Sequence, residues 1–462
     1  MILLEDFTNP TAAWEKDDSI SIADGKVTNT EGTHKWIWYE LPEPLKADEP
    51  FRFSFIANIG KDIPIYIGFA NAEGLESPKT FENVRILWGG YSNTYGCQWR
   101  TGEQLTNVGT VLPDAGLYRF SIVSDGVTQT FSLEDMDDHN IGFDCRYKGT
   151  DQTKYTHIVV RFSDVSEDTW LEKLAFKTGF GDFGDPDFEC RTKFVVTTDE
   201  TGLEPNTECQ KDKTTLVVLP TTIGVAKYRL FIFGHGYLGN WKQSNEDFSG
   251  YFLDNMADRG YISCSMDSTN HNGHWKVTTQ AFLTRKRLFD LGFNMHYKMF
   301  TMGLSMGALY ACNMAIDYPN LVSRICLIGG HSNLMWRYYG MYGVGRASSV
   351  NETYGCDESS FFFKARGRNP YENLHKLVRY PLLAIHNNET QVEPIFSEKI
   401  VENLNALGGD ATYVFDTSST IHNSINLYDV DTIAGFFDQS SDQDLARPAH
   451  VKYDVSGAVR IS

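Results

Sequence analysis

The stretch FTMGLSMGALYACNMAIDYP, residues 300–319, sets Ser305 between Gly303 and Gly307 where an apolar strand gives way to a helix. MFTMG reads as the strand, Gly303-Leu304-Ser305-Met306-Gly307 as the turn, and ALYACNMAI as the helix. A reversal this tight leaves no space for a Cβ on either glycine, because the strand and helix backbones close on one another. The same turn lifts the serine Oγ clear of the chain and aims a helix N-terminus at any negative charge that forms beside it. Those are the needs of a nucleophile. G-x-S-x-G strings also arise by chance, so the rest of the sequence has to supply the partners.

Upstream, LFIFGHGYLGNW (residues 230–241) is a strand that ends in His235-Gly236-Tyr237. Downstream, YPLLAIHNNETQVEPIFSEKIVENLNALGG (380–409) reads as strand, loop and helix, followed by the strand ATYVFDT and the loop SSTIHNS with His422. In this order of elbow, acid loop and histidine loop, the chain resembles the α/β-hydrolase superfamily over residues 192–438. The resemblance implies a mostly parallel sheet, Ser305 as nucleophile, His422 as general base, and backbone N–H groups of Tyr237 and Met306 as the oxyanion hole. His235 precedes the serine, which in this fold makes it loop support. One position departs from the pattern. The usual HGxxDxxVP stands here as HNNETQVEP, with Thr390 at the aspartate. Glu389 is the favoured acid, Glu393 the alternative, and Asp416, in the histidine's own segment, comes third. The layout, together with GLSMG, is also weakly similar to the sugar O-acetyltransferase-like protein of the accessory Sec system.

Residues 1–178 keep a different rhythm: SISIADGKVTN, KWIWYELP, FRFSFIANI and THIVVRFSDV are short alternating strands parted by Gly, Asn, Asp and Pro turns. They predict an all-β sandwich of jelly-roll type. LLEDFTNPTAAW and LYRFSIVSDGVTQTF give this half a resemblance to carbohydrate-binding, lectin-like sandwiches. Trp36, Trp38, Trp88 and Trp99 are then either sugar platforms or inter-strand packing. The predicted organisation is multidomain: a sandwich at 1–178, a Gly/Asp/Pro linker at 179–191, an α/β-hydrolase domain at 192–440 with a lid or cap insertion at 331–368 that walls the substrate, and a tail at 441–462.

A formal charge of -19 argues against nucleic acid or an anionic membrane as partner. No apolar run reaches membrane-spanning length, and Met1-Ile2-Leu3-Leu4 meets Glu5 and Asp6 without the basic start of a secretory signal. Cys190 and Cys209 flank a polar loop and are a candidate bridge; the other cysteines show no metal-ligand spacing. His271 and His274 lack a third ligand nearby, so no metal and no cofactor is expected. The sequence therefore reads as a serine esterase or deacetylase acting on an acylated polysaccharide or another ester. Carriage on a virion, as in phage tail proteins, would bring such an enzyme to surface glycans, and a cytoplasmic esterase is the simpler alternative; virion or homo-oligomeric assembly is the partner expectation. An O-acyltransferase would use the same residues. An inactive adhesive or structural module is the rival from another class, and the missing aspartate favours it.

Overall fold

In FRFSFIANI, Phe51–Ile59, the aromatic residues recur at every second position, so one face of the strand is uniformly apolar. The computed structural model describes residues 1–462 except 11, 61–64, 71–82, 92–93, 102–103, 113–115, 136–139, 148–151, 166, 182, 184, 186–187, 189–190, 199–213, 222–226, 245–248, 250, 268–269, 423, 449–450, 454–458 and 462. Two compact units divide it, one holding Met1–Val195 and the other Val196–Thr221 with Val225–Ser462.

The first unit contains two sheets of antiparallel strands. Phe51, Phe53 and Phe55 from one sheet and Ile65, Ile67 and Phe69 from the other are buried in a single core. Phe53 and Phe69 meet with ring centroids 5.1 Å apart. Lys35–Glu40 shows the two-residue period plainly: Ile37 is fully buried in that core, whereas Trp36 and Trp38 are half-buried and pack with Tyr66 on Ala70 and Val159. The side chains of Trp88 and Trp99, and both Cys190 and Cys209, fall outside the described residues.

The second unit is built on parallel strands joined by helices. Seven neighbouring strands lie in the order Thr214–Val218, Tyr261–Met266, Arg229–Gly234, Met299–Leu304, Val322–Ile328, Leu382–Asn387 and Ala411–Asp416. Only the first two of these pair antiparallel. Tyr261–Met266, Met299–Leu304 and Leu382–Asn387 are buried along their whole length, which requires cover on both faces. Part of that cover is the helix Val430–Asp438, capped by Asp429, whose Phe437 stacks on Phe300 at 4.5 Å.

Residues 331–368 leave the sheet as three short helices, Leu334–Tyr339, Ala347–Tyr354 and Glu358–Ala365. They carry a small core of their own, in which Leu334, Tyr338, Val350 and Phe361 gather on Leu309. Tyr338 and Phe361 stack at 3.9 Å. This segment was legible in sequence as aromatic and Gly-rich, and its helices were not. No helix among the described residues is long and apolar enough to cross a membrane.

Candidate active site

Because the central strands are parallel, their C-terminal ends share one edge of the sheet, where ligands bind in open α/β folds. Tyr237 follows Arg229–Gly234, Ser305 follows Met299–Leu304, Glu389 follows Leu382–Asn387, and His422 follows Ala411–Asp416. The topology therefore brings together residues far apart in the chain.

Ser305 sits in the left-handed region at φ 52°, a conformation that costs a non-glycine residue about 1–3 kcal/mol and persists only where surroundings enforce it. The enforcement is visible. Ser305 N–H donates to Ile328 O at 2.9 Å, its carbonyl accepts from His331 N at 3.0 Å, and the helix Gly307–Asp317 begins two residues on. A Cβ on Gly303 would lie 2.0 Å from Gly307 O, and one on Gly307 would lie 1.9 Å from Gly234 O.

His422 Nδ1 donates to Glu389 Oε1 at 2.5 Å. The other carboxylate oxygen, Oε2, accepts from Gln391 N and Val392 N, each at 2.9 Å. His386 lies fully buried beneath, with Nδ1 2.8 Å from Ser397 Oγ, Nε2 2.8 Å from Val392 O, and Nε2 3.5 Å from Glu389 Oε1. Burial alone would raise the Glu389 pKa. The hydrogen bonds from His386, His422 and Val392 N–H, with the charge on His422, outweigh it and hold the carboxyl at about 2. Glu393 is exposed, and its N–H donates to Tyr342 O at 3.2 Å. Asp416 Oδ1 is turned to Ser418, accepting from its N–H and hydroxyl. Of the three acids weighed in sequence, Glu389 is the one that meets His422.

The chain's structural neighbours are mostly α/β-hydrolase serine hydrolases. S-formylglutathione hydrolase from Agrobacterium tumefaciens is similar over 54% of this chain and 96% of its own, at 11% identity and a TM-score of 0.42. Est1E from Butyrivibrio proteoclasticus covers 49% of this chain and 93% of itself, at 13% identity and a TM-score of 0.38. The CBM2 module of the evolved Dit of Lactobacillus casei BL23 phage J-1 covers 38% of this chain and 93% of itself, at 14% identity and a TM-score of 0.31. No protein-family model and no curated protein sequence matches the chain. These likenesses are distant.

Ser305 and His422 line one cavity of about 110 Å³, together with Tyr237, His331, Arg337 and Arg346. The loop that presents Tyr237 is pinned: Gly236 N–H donates to Gln243 Oε1 at 2.6 Å, and a Cβ on Gly236 would lie 3.5 Å from Ser305 Cβ. Met306 stands at the N-cap of the helix after the serine. His235 is buried beneath this loop with Nδ1 2.6 Å from Gly236 O. His271 and His274 each accept a backbone N–H at Nδ1, from Gly273 and Lys276. Burial pushes His274 down to about 4 and holds His271 well below the ordinary histidine range. Among the described residues no group of three or more His, Cys, Asp or Glu is placed to hold a metal ion.

Among the lining residues not singled out in sequence are His331, Arg337 and Arg346. His331 is buried, and burial followed by the charge on Arg337 pushes its ring well below the ordinary histidine range. Arg337 and Arg346 come from the insertion, with the Arg337 guanidinium 5.6 Å and the Arg346 guanidinium 4.5 Å from the Tyr237 ring centre. A signal for them existed: from His331 to Asn351 the chain carries both arginines and no Asp or Glu, inside a protein of charge -19.

Proposed function

We propose that the chain is a serine esterase that works through an acyl-enzyme. The observation that carries this reading is the His422 Nδ1–Glu389 Oε1 bond in a cavity that His422 shares with Ser305. Ser305 Oγ attacks the ester carbonyl, His422 Nε2 takes the hydroxyl proton, and Glu389 fixes the tautomer and stabilises the imidazolium as it forms. N–H groups of Tyr237 and Met306 receive the oxyanion, and the helix behind Met306 adds its positive end. His422 then protonates the leaving alcohol, and water, deprotonated by the same ring, releases the acid. The missing aspartate was the reason to suspect an inactive module, and a glutamate seated on the histidine supports the active reading.

The test is labelling by a fluorophosphonate together with turnover of p-nitrophenyl acetate, in wild type and in Ser305→Ala. Both signals should vanish in the variant while its circular dichroism and melting point stay put. Unchanged turnover without Ser305 would discard the mechanism.

At finer grain, the substrate in this reading is an acyl, foremost acetyl, group on a surface polysaccharide. The β unit serves as the glycan-binding partner, with Trp36 and Trp38 on the strand face turned from its core as stacking surfaces, and a virion such as a phage tail is the carrier. Full-length Ser305→Ala, applied to arrays of polysaccharides with and without their acetyl groups, reads this directly. Blank arrays would leave the esterase and remove the polysaccharide.

A further inference from the structure

Arg337 is 1% exposed. Its Nε donates to Asn272 Oδ1 at 2.8 Å, while Nη2 is buried with no hydrogen-bond partner among the described residues. No carboxylate among the described residues pairs with either Arg337 or Arg346. Burial, and then the neighbouring charge of Arg346, push the Arg337 guanidinium down to about 9, which still leaves it a cation at neutral pH. Burying an unpaired charge is costly, and a second like charge beside it adds to that cost. Tyr237 lies against both guanidiniums, which positions their planes without neutralising them.

A structural role accounts for part of one side chain only. Asn272 donates to Asn270 O, Ser349 O, Ser349 Oγ and Thr353 Oγ1, tying the helix Ala347–Tyr354 to its own loop, and Arg337 Nε braces the asparagine. That use leaves Nη2 free. It says nothing of Arg346, which lines the same cavity as Ser305 and sets its guanidinium 4.5 Å from the Tyr237 ring centre.

We propose that this cavity takes an anionic ester: Arg337 and Arg346 receive an oxyacid group, carboxylate or phosphoryl, borne by the same molecule whose ester carbonyl faces Ser305. The inference rests on the esterase reading and names its substrate class. A guanidinium fork matches the paired oxygens of such a group, and each charge-assisted bond is roughly twice as strong as a neutral one. In a chain of net charge -19, two arginines lining one cavity also form a local sink for an anion that the remaining surface repels.

The experiment compares kcat/KM for length-matched pairs: p-nitrophenyl hemisuccinate against p-nitrophenyl valerate for an anion on the acyl side, and acetylated glucuronate or acetylated glucose 6-phosphate against acetylated glucose for one on the alcohol side. At least one anionic member should be preferred by about 10-fold to 100-fold, the effect of one or two hydrogen bonds to a charged group. Arg346→Gln should bring that ratio close to one, and Arg337→Met should lower it too. If Arg337→Met fails to fold for want of its bond to Asn272, the half-buried Arg346 still decides. Calorimetry on Ser305→Ala reads the site without chemistry, and succinate or inorganic phosphate should bind and lose affinity when Arg346→Gln is added. A preference for the carboxylates names a carboxylate, and a preference for the sugar phosphate names a phosphoryl group. Equal kcat/KM in every pair, with fluorophosphonate labelling of Ser305 intact, overturns the anionic substrate and leaves the esterase. Anion binding that depends on Arg346 in a protein that turns over no ester keeps the anion site and removes the esterase reading. Binding of neither anion, with no preference in any pair, overturns the proposal outright.

Discussion

Behind His422, Glu389 uses both carboxylate oxygens on groups of its own chain, one on the imidazole and one on two backbone N–H groups. On the side of the cavity built by the insertion, Arg337 keeps a buried Nη2 with no partner among the described residues and shares Tyr237 with a second cation. The first region is finished before any ligand arrives, and the second is not. Groups that must hold one geometry through a reaction are satisfied internally, so that nothing has to reorganise as charge develops. Groups that must hold a ligand keep capacity in reserve, and the fold tolerates the cost.

The largest test of this contrast is Glu389→Gln. An amide cannot stabilise the imidazolium and can hold the wrong tautomer, so kcat should fall by about 10³-fold to 10⁴-fold with KM nearly unchanged. Steady-state kinetics on p-nitrophenyl acetate check it, and a loss under tenfold would mean that Ser305 and His422 work as a dyad.

The same residue marks the finished region thermodynamically. Glu389 is depressed to about 2 in the folded protein, whereas an unfolded glutamate takes up its proton near about pH 4.3. A depressed carboxyl contributes stability that is present above the unfolded value and lost as pH falls through the folded one. Urea unfolding of wild type and Glu389→Gln should therefore show a full gap at pH 7 that narrows between about pH 4 and pH 2. A constant gap across that range would show that the carboxylate is not held as its bonds require.

Smaller effects are expected where the two regions join. Val344 N–H donates to Gln391 O at 3.1 Å and Glu393 N–H donates to Tyr342 O at 3.2 Å, a strand-like bridge between the insertion and the acid loop. Gly343 lies between them at φ 143°, and a Cβ there would fall 2.5 Å from Gln391 O. Gly343→Ala should cost about 1–3 kcal/mol and speed amide exchange at Val344 and Glu393. Unaltered exchange would mean that the bridge carries no strain. Smallest of all, Glu393→Gln should leave kcat/KM within about twofold, because its side chain is exposed and only its backbone is engaged. A large loss would break the distinction between the two glutamates.

Ser305 was legible because everything its turn needs is adjacent in sequence: strand, two glycines and helix follow one another without a gap. His422 was legible because it follows the last strand of the sheet in a loop of its own. Glu389 was harder, since it sits one residue before the expected position, and only the bond lengths separate it from Glu393. The cavity wall was scarcely legible at residue level. Arg337 belongs to one short helix and Arg346 immediately precedes another, and the apolar positions of those helices face a private core around Leu309, so their pattern does not report on the main sheet. Alternation in the β unit announced strands such as Phe51–Ile59, whereas pairing between strands distant in sequence, such as Phe51–Ile59 with Trp170–Thr178, carries no local mark.

The bridge between residues 342–344 and 391–393 joins the insertion that lines the cavity to the loop that carries Glu389. Lengthening or shortening the insertion would pull directly on the loop whose N–H groups clasp Glu389, so indels there should be purged by selection even when they would suit a new substrate. Diversification is left with side-chain replacement at positions such as Val344 and Arg346, which change the wall while the backbone stays still. A lineage of such proteins would keep a constant insertion length and vary in the residues that line the cavity.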